Sequence, residues 1–273
     1  MRVAVVGHVE HVTIAAVPAF PMPGDIVHLD EPAVIAGGGG GVAFFQLARS
    51  TADLHLFTAI GIDDAALHVY HEISSVGATV HAALRMEPHT RDLVLVTPDA
   101  ERTIMVIGRP LHPAIDDRLS WDIFSTCDAA YFTGEDPETL KLARNAKFLA
   151  VTARRSHVLA AGGVQADIVI GSKRDPRENR RLADYVRPPR ALILTDGAQG
   201  GTIETAEGVT PFPSPRAETP IVGAYGAGDT FAAALTWHLA RGTSIEDACA
   251  RASRQAAAVL AGINPIENQL PLT

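Results

Sequence analysis

The stretch Gly223-Ala224-Tyr225-Gly226-Ala227-Gly228-Asp229-Thr230-Phe231 constrains this chain more than any other. Phe231, Leu235 and Leu239 recur at i, i+4 and i+8 with alanines between them, which predicts one apolar face of a helix closed by Gly242. Gly226 and Gly228 lack Cβ, so the backbone can turn tightly and offer the amides Gly226, Ala227 and Gly228 of the first helical turn to an anion, phosphate above all. A carboxylate at such a helix start feels the positive end of the dipole, so Asp229 is expected to be ionised and a weak proton acceptor. That suits phosphoryl transfer, which needs an aligned hydroxyl, a proton acceptor and fixed dipoles for the moving charge.

An isolated Gly-x-Gly-Asp also reads as a plain helix cap entered through a glycine turn. The wider pattern decides between the two. Gly226-Ala227-Gly228-Asp229-Thr230-Phe231 resembles the C-terminal signature of the ribokinase-like (PfkB-type) carbohydrate kinase family, and Gly37 to Gly41 with Arg49 resembles its N-terminal glycine signature.

At 273 residues, 47% apolar and 20% charged, the chain has enough material for one large α/β unit with a sizeable core. Its net charge of −8 argues against a nucleic-acid surface, and the basic residues between Arg177 and Arg190 are interrupted by acids and prolines. Two cysteines imply no disulfide framework and a cytoplasmic setting as the expectation. No apolar run reaches the roughly 18 to 20 residues of a membrane span.

Val3 to Val6 predicts a strand buried on both faces. Short alternating stretches at Val27-Leu29 and Val34-Ile35, and a pair at 93–97 and 103–106 around a turn, predict lid strands inserted from about 18–36 and 86–108 into a single domain spanning 1–273. Glycines 37–41 open into a helix and suggest close backbone approach to a ligand. Further on, strands at 129–132, 148–152, 167–170 and 191–195 alternate with helices starting at Asp136-Pro137 and Asp175-Pro176. A hairpin at 202–212 and a last helix with a Thr243/Glu246 capping box follow. The pattern predicts an α/β fold with a doubly wound, mostly parallel sheet and a small β-lid, ligands lying beyond the carboxyl ends of the strands.

His8-Val9-Glu10-His11 invites a metal reading, but on a strand His11 points away from His8 and Glu10, so no three-ligand site forms locally. Thr195-Asp196-Gly197-Ala198-Gln199-Gly200 reads by spacing alone as an ordinary turn.

The resemblance adds roles to these residues. It implies a ribokinase-like fold and an ATP-dependent kinase acting on a hydroxyl of a sugar or sugar-like compound, with Asp229 as base and Gly226, Ala227 and Gly228 as the anion hole. It assigns Thr195, Gly197 and Gly200 to ATP, with Ser172 and Lys173 beside them. Asp175 falls where the family has the glutamate linked to Mg2+ through water. Gly223 replaces the aspartate that opens the family signature, which takes a ligand from the monovalent-cation site. The family's polar substrate positions fall at Glu10, Val12 and Val42, so recognition is left to Glu10, Asp25, the backbone of Gly38 and Gly39, the wall at Val42, and Arg102 from the lid. Two valines at acceptor-binding positions remove hydrogen bonds a ribose would need. A nucleoside kinase, and a ligand-binding or regulatory protein that keeps the fold without catalysis, stand as alternatives. The partners expected are a small sugar or nucleoside-like molecule and a second copy through the open edge of the lid, with no nucleic acid and no membrane.

Overall fold

The elements run β1 (Arg2–Val6), β2 (Glu10–Ala16), β3 (Ala33–Gly37), α1 (Gly38–Ala48), β4 (Asp53–Ile60), α2 (Asp64–Ser74), β5 (Thr79–Leu84), β6 (Arg91–Val96) and β7 (Arg102–Ile107). They continue as β8 (Ala129–Phe132), α3 (Pro137–Ala143), β9 (Phe148–Thr152), α4 (Ser156–Gly162), β10 (Ile168–Ser172), β11 (Ala191–Thr195), β12 (Gly201–Thr205), β13 (Gly208–Phe212), α5 (Ala227–Ala240) and α6 (Ile245–Ala258). The computed structural model describes residues 1–216 and 219–273.

Because β1 is apolar at every inner position, it can be covered on both sides, and it is. Val3 and Val5 enter one core with Phe44, Leu47, Val69, Ile73 and Leu235, whereas Ala4 and Val6 enter a second with Phe124, Leu140 and Val158. Helices α1, α2, α5 and α6 therefore cover one face of the sheet, and α3 and α4 the other.

Nine strands form that sheet in the order β13-β12-β11-β10-β9-β8-β1-β4-β5. Pairing is parallel from β5 to β11, and the last two strands are antiparallel. The chain leaves β1 toward β4 on one side and later returns to β8 on the other, so the strand order reverses at the carboxyl end of β1. A crevice forms at such a reversal, because the two crossover connections diverge there.

A second sheet, β3-β2-β6-β7, lies against this end. Val12, Ile14, Ile35, Val94 and Val96 from its inner face pack with Val42 and Tyr225. Strand β2 extends the small sheet back to Glu10, whereas 25–30 forms no strand, so Val27-Leu29 is not a lid strand. Alternation over three residues is too short a signal; the seven-residue stretch Glu10–Ala16 makes ladders on both sides.

Three local expectations change. No helix follows Asp175-Pro176; the Asp175 carboxylate accepts from the Arg177 backbone amide at 2.9 Å and closes a turn that competes with a helix. Helix α6 is capped by Ser244, which accepts from Asp247 N at 3.3 Å, one residue after the expected Thr243. Glycines 38–41 form the first turn of α1 rather than a loop before it.

Asp136 caps α3 as read, accepting from Thr139 N at 2.9 Å, and Asp63 caps α2 in the same way, accepting from Ala66 N at 3.2 Å. Asp167, buried just ahead of β10, holds the strand entrances together: its carboxylate accepts from Leu149 N at 2.7 Å and from Arg144 Nη1 at 2.6 Å. Asp167→Ala would leave the buried Leu149 amide without an acceptor and remove the carboxylate partner of Arg144, a loss of about 2–4 kcal/mol in urea unfolding, while Asp167→Asn recovers part of it.

Candidate active site

The site is built at the carboxyl ends of β1 and β8. Beyond β1 the chain turns through Gly7 and His8, and the first turn of α1 lies directly on that turn: Gly40 N donates to His8 O at 3.1 Å. A Cβ on Gly40 would stand 2.5 Å from His8 O, so only glycine permits this contact. The close approach expected of the glycine run is thus made at Gly40 to the protein's own backbone. Gly39, one residue earlier, faces the crevice, and a Cβ there would lie 3.3 Å from Asp229 Oδ1 and 3.4 Å from Thr133 Oγ1.

Helix α5 delivers Asp229 from the opposite side. Gly226 caps it in the left-handed region at φ 76°, where a side chain would also meet Pro265 at 3.0 Å and Val42 at 3.1 Å. Gly228 has open space where its Cβ would be. Among the described residues, no carbonyl or side chain accepts from the amides of Ala227 and Gly228, so these donors are free for a ligand.

Asp229 itself departs from expectation. Its pKa is raised to about 6, first by burial and then by the charge of Glu178, against the lowering influence of Arg154 and Arg102. The helix dipole acts on a carboxylate facing water; here desolvation outweighs it. Asp229 is therefore a stronger proton acceptor than its place in the sequence suggests, still ionised at neutral pH.

The amides of Gly38 and Gly39 are spent within the protein. Gly38 N donates to the Tyr225 hydroxyl at 3.0 Å, joining the two glycine-rich stretches, and Gly39 N donates to His8 Nε2 at 3.3 Å. Their backbone positions the crevice wall instead of offering donors to a ligand. Val42 is fully buried beneath Gly226.

Glu10, only 5% exposed, lines the same wall: its Oε2 would lie 2.9 Å from a Cβ on Gly38. Burial raises its pKa, and the neighbouring charge of Asp92 on β6 adds to the rise. Arg102 at the start of β7 lies near enough for its charge to act on Asp229. Asp25 is not brought in: it sits in an exposed turn and accepts from Met22 N at 2.8 Å.

At the other end of the crevice, Ser172 pairs with Thr195 across the β10–β11 ladder, and Lys173 N donates to Thr195 O at 2.9 Å. Ser172, Lys173, Thr195 and Gly197 are thereby gathered, with the Arg174 guanidinium over Gly197. Gly200 serves the fold: its φ of 83° admits the hairpin, and Asp196 N donates to its carbonyl at 2.7 Å. Asp175 is tied to Arg154 at 2.8 Å and Arg177 at 3.0 Å, which lowers its pKa to about 2. Glu178, three residues on, is the more sheltered carboxylate; it accepts from Ser172 N at 3.0 Å, pairs with Arg154 at 2.6 Å and acts on Asp229.

Residues not singled out as ligands in the sequence complete the site: His8, Asp92, Thr133, Tyr225, Glu178 and Arg155. Asp92 had a readable signal, being the one acid at an inner position of the apolar strand Arg91–Val96. No group of three His, Cys, Asp or Glu side chains among the described residues has metal-holding geometry.

Residues 165–271 match the pattern of the pfkB family carbohydrate kinase. No curated protein matches the chain. Among solved structures, adenosine kinase from Sinorhizobium meliloti superposes with a TM-score of 0.79 at 18% identity, covering 100% of this chain and 96% of that one. Ribokinase from Thermotoga maritima gives 0.78 at 18%, covering 98% and 96%, and ribokinase from Cryptococcus neoformans in complex with ADP gives 0.76 at 18%, covering 99% and 97%. At such identities the likeness is one of fold, extending over the whole chain. The sequence match takes in Ser172, Thr195 and Asp229 and leaves out the glycine run and Glu10. The chain is thus ribokinase-like in fold, and its residues 165–271 match the sequence pattern of the pfkB family carbohydrate kinases.

Proposed function

We propose that the protein transfers the γ-phosphoryl group of ATP to a hydroxyl of a small sugar or sugar-like molecule. One observation carries the reading: a carboxylate of raised pKa stands at a helix mouth whose amides at Ala227 and Gly228 have no partner among the described residues, with open space over Gly228. The acceptor oxygen attacks the γ-phosphorus, its proton passes to Asp229, and the bond to the ADP oxygen breaks. The two amides hold charge that spreads over the moving group. Ser172, Lys173, Thr195 and Gly197 supply the nucleotide side. Glu178, with Asp175 beside it on Arg154, fits the water-mediated binding of Mg2+, which supplies charge neutralisation on the phosphates.

A nucleoside as acceptor is the second reading, favoured by valines at 12 and 42, where polar groups would be needed to hold a ring of hydroxyls. Purine nucleosides consumed ahead of free sugars in an ADP-release panel would select it. The small sheet ends in β7, whose Ile104, Met105, Val106 and Ile107 are all exposed, so we extend the reading to a homodimer formed along that edge. Sedimentation at micromolar concentration should give the dimer mass; a monomer removes this part of the proposal.

Asp229→Asn should lower kcat by at least about 10²-fold while ATP still binds, since proton acceptance contributes roughly 10²–10⁴. Near-normal turnover would refute the role of base. For the native protein, kcat/KM should fall below about pH 6, where Asp229 takes up its proton. The sign of the linked stability effect is opposite. A carboxylate whose folded pKa exceeds its unfolded value costs stability when ionised, so Asp229→Asn should melt higher than the native chain above pH 6, the gap closing toward pH 4.

A further inference from the structure

Glu10 and Asp92 are two carboxyl groups, 5% and 4% exposed, on the adjoining strands β2 and β6 of the small sheet, and Glu10 lies on the wall that faces Asp229. Proteins bury such groups with a cation or several donors, because removing a carboxylate from water is costly. Neither is supplied here. Among the described residues, the one basic side chain within 4.0 Å of either group is His8, whose Nε2 lies 3.8 Å from Glu10 Oε1. His8 cannot serve, because Nε2 already accepts from Gly39 N, and burial with His112 and Arg155 nearby holds the ring neutral. Arg155 acts on Glu10 only from a distance, being committed to Glu135 and to Thr133 O at 3.0 Å. Asp92 Oδ1 is buried with no hydrogen-bond partner, and so is His8 Nδ1.

Strand pairing places the acids where an acceptor would lie. Asp92 stands opposite Val12, two residues from Glu10 on the same face of β2, and Glu10 and Asp229 approach the adjacent positions Gly38 and Gly39. A molecule whose hydroxyl meets Asp229 therefore has its next few atoms against this pair.

Building on the kinase reading, we infer that the acceptor carries a protonated nitrogen, an amino sugar or similar amino alcohol, seated between Glu10 and Asp92. The ammonium supplies the missing cation and donates to Asp92 Oδ1. The valines at 12 and 42 agree with this assignment, since they leave the acid pair with few neutral hydrogen-bond partners around it.

The test uses the full-length protein and acceptors that differ by one group: D-glucosamine against D-glucose, D-galactosamine against D-galactose, and 1-amino-1-deoxy-D-fructose against D-fructose. Calorimetric titration should show the amine of at least one pair binding about tenfold or more tighter, as charge-assisted hydrogen bonds imply. Asp92→Asn and Glu10→Gln should reduce that ratio to near one, with thermal melts reporting their folding. The native comparison stands without the variants. Equal or weaker binding of the amines, or no binding of any of them, overturns the inference. Amine binding without ADP release from any acceptor refutes phosphoryl transfer and leaves the amine site standing.

Discussion

The site depends on the direct seating of the α1 helix start on the turn after β1. Gly40 N donates to His8 O, and no side chain intervenes. This close approach lets Gly39 stand against Asp229 and lets Tyr225 reach Gly38 N, so two stretches nearly 190 residues apart become one wall. A larger residue at position 40 would push the helix outward and open that wall.

Burial then sets the chemistry. Asp229 sits on a helix N-terminus, which alone would make it a poor base, yet enclosure and Glu178 raise its pKa to about 6. Two field sources of opposite sign act on one group, and desolvation is the larger. The same enclosure raises Glu10 beside Asp92 and holds His8 and His112 neutral. A crevice with several acids and few free cations is costly to keep, which ties its composition to what it binds.

Much of the frame was legible in the residues. The continuous apolar run at β1, the Asp136 cap and the Phe231/Leu235 spacing are local signals that tertiary packing reinforced. Failures came where local chemistry competed. Asp175-Pro176 looks like a helix start, but its carboxylate is captured by the Arg177 amide. Glycines 38 and 39 look like free donors, but they donate to the Tyr225 hydroxyl and to His8 Nε2 respectively. Asp25, expected to take part in recognition, only closes its own exposed turn.

The sequence by itself determined the alternation of strands and helices, the glycine-lined entry to α5 and the presence of one acid at its mouth, because each depends on neighbours within a few residues. Only the tertiary structure decided which groups surround that acid. Glu10, Asp92, Thr133, Glu178 and Asp229 come from five separate parts of the chain, and their protonation and pairing follow from distances and enclosure that no spacing encodes.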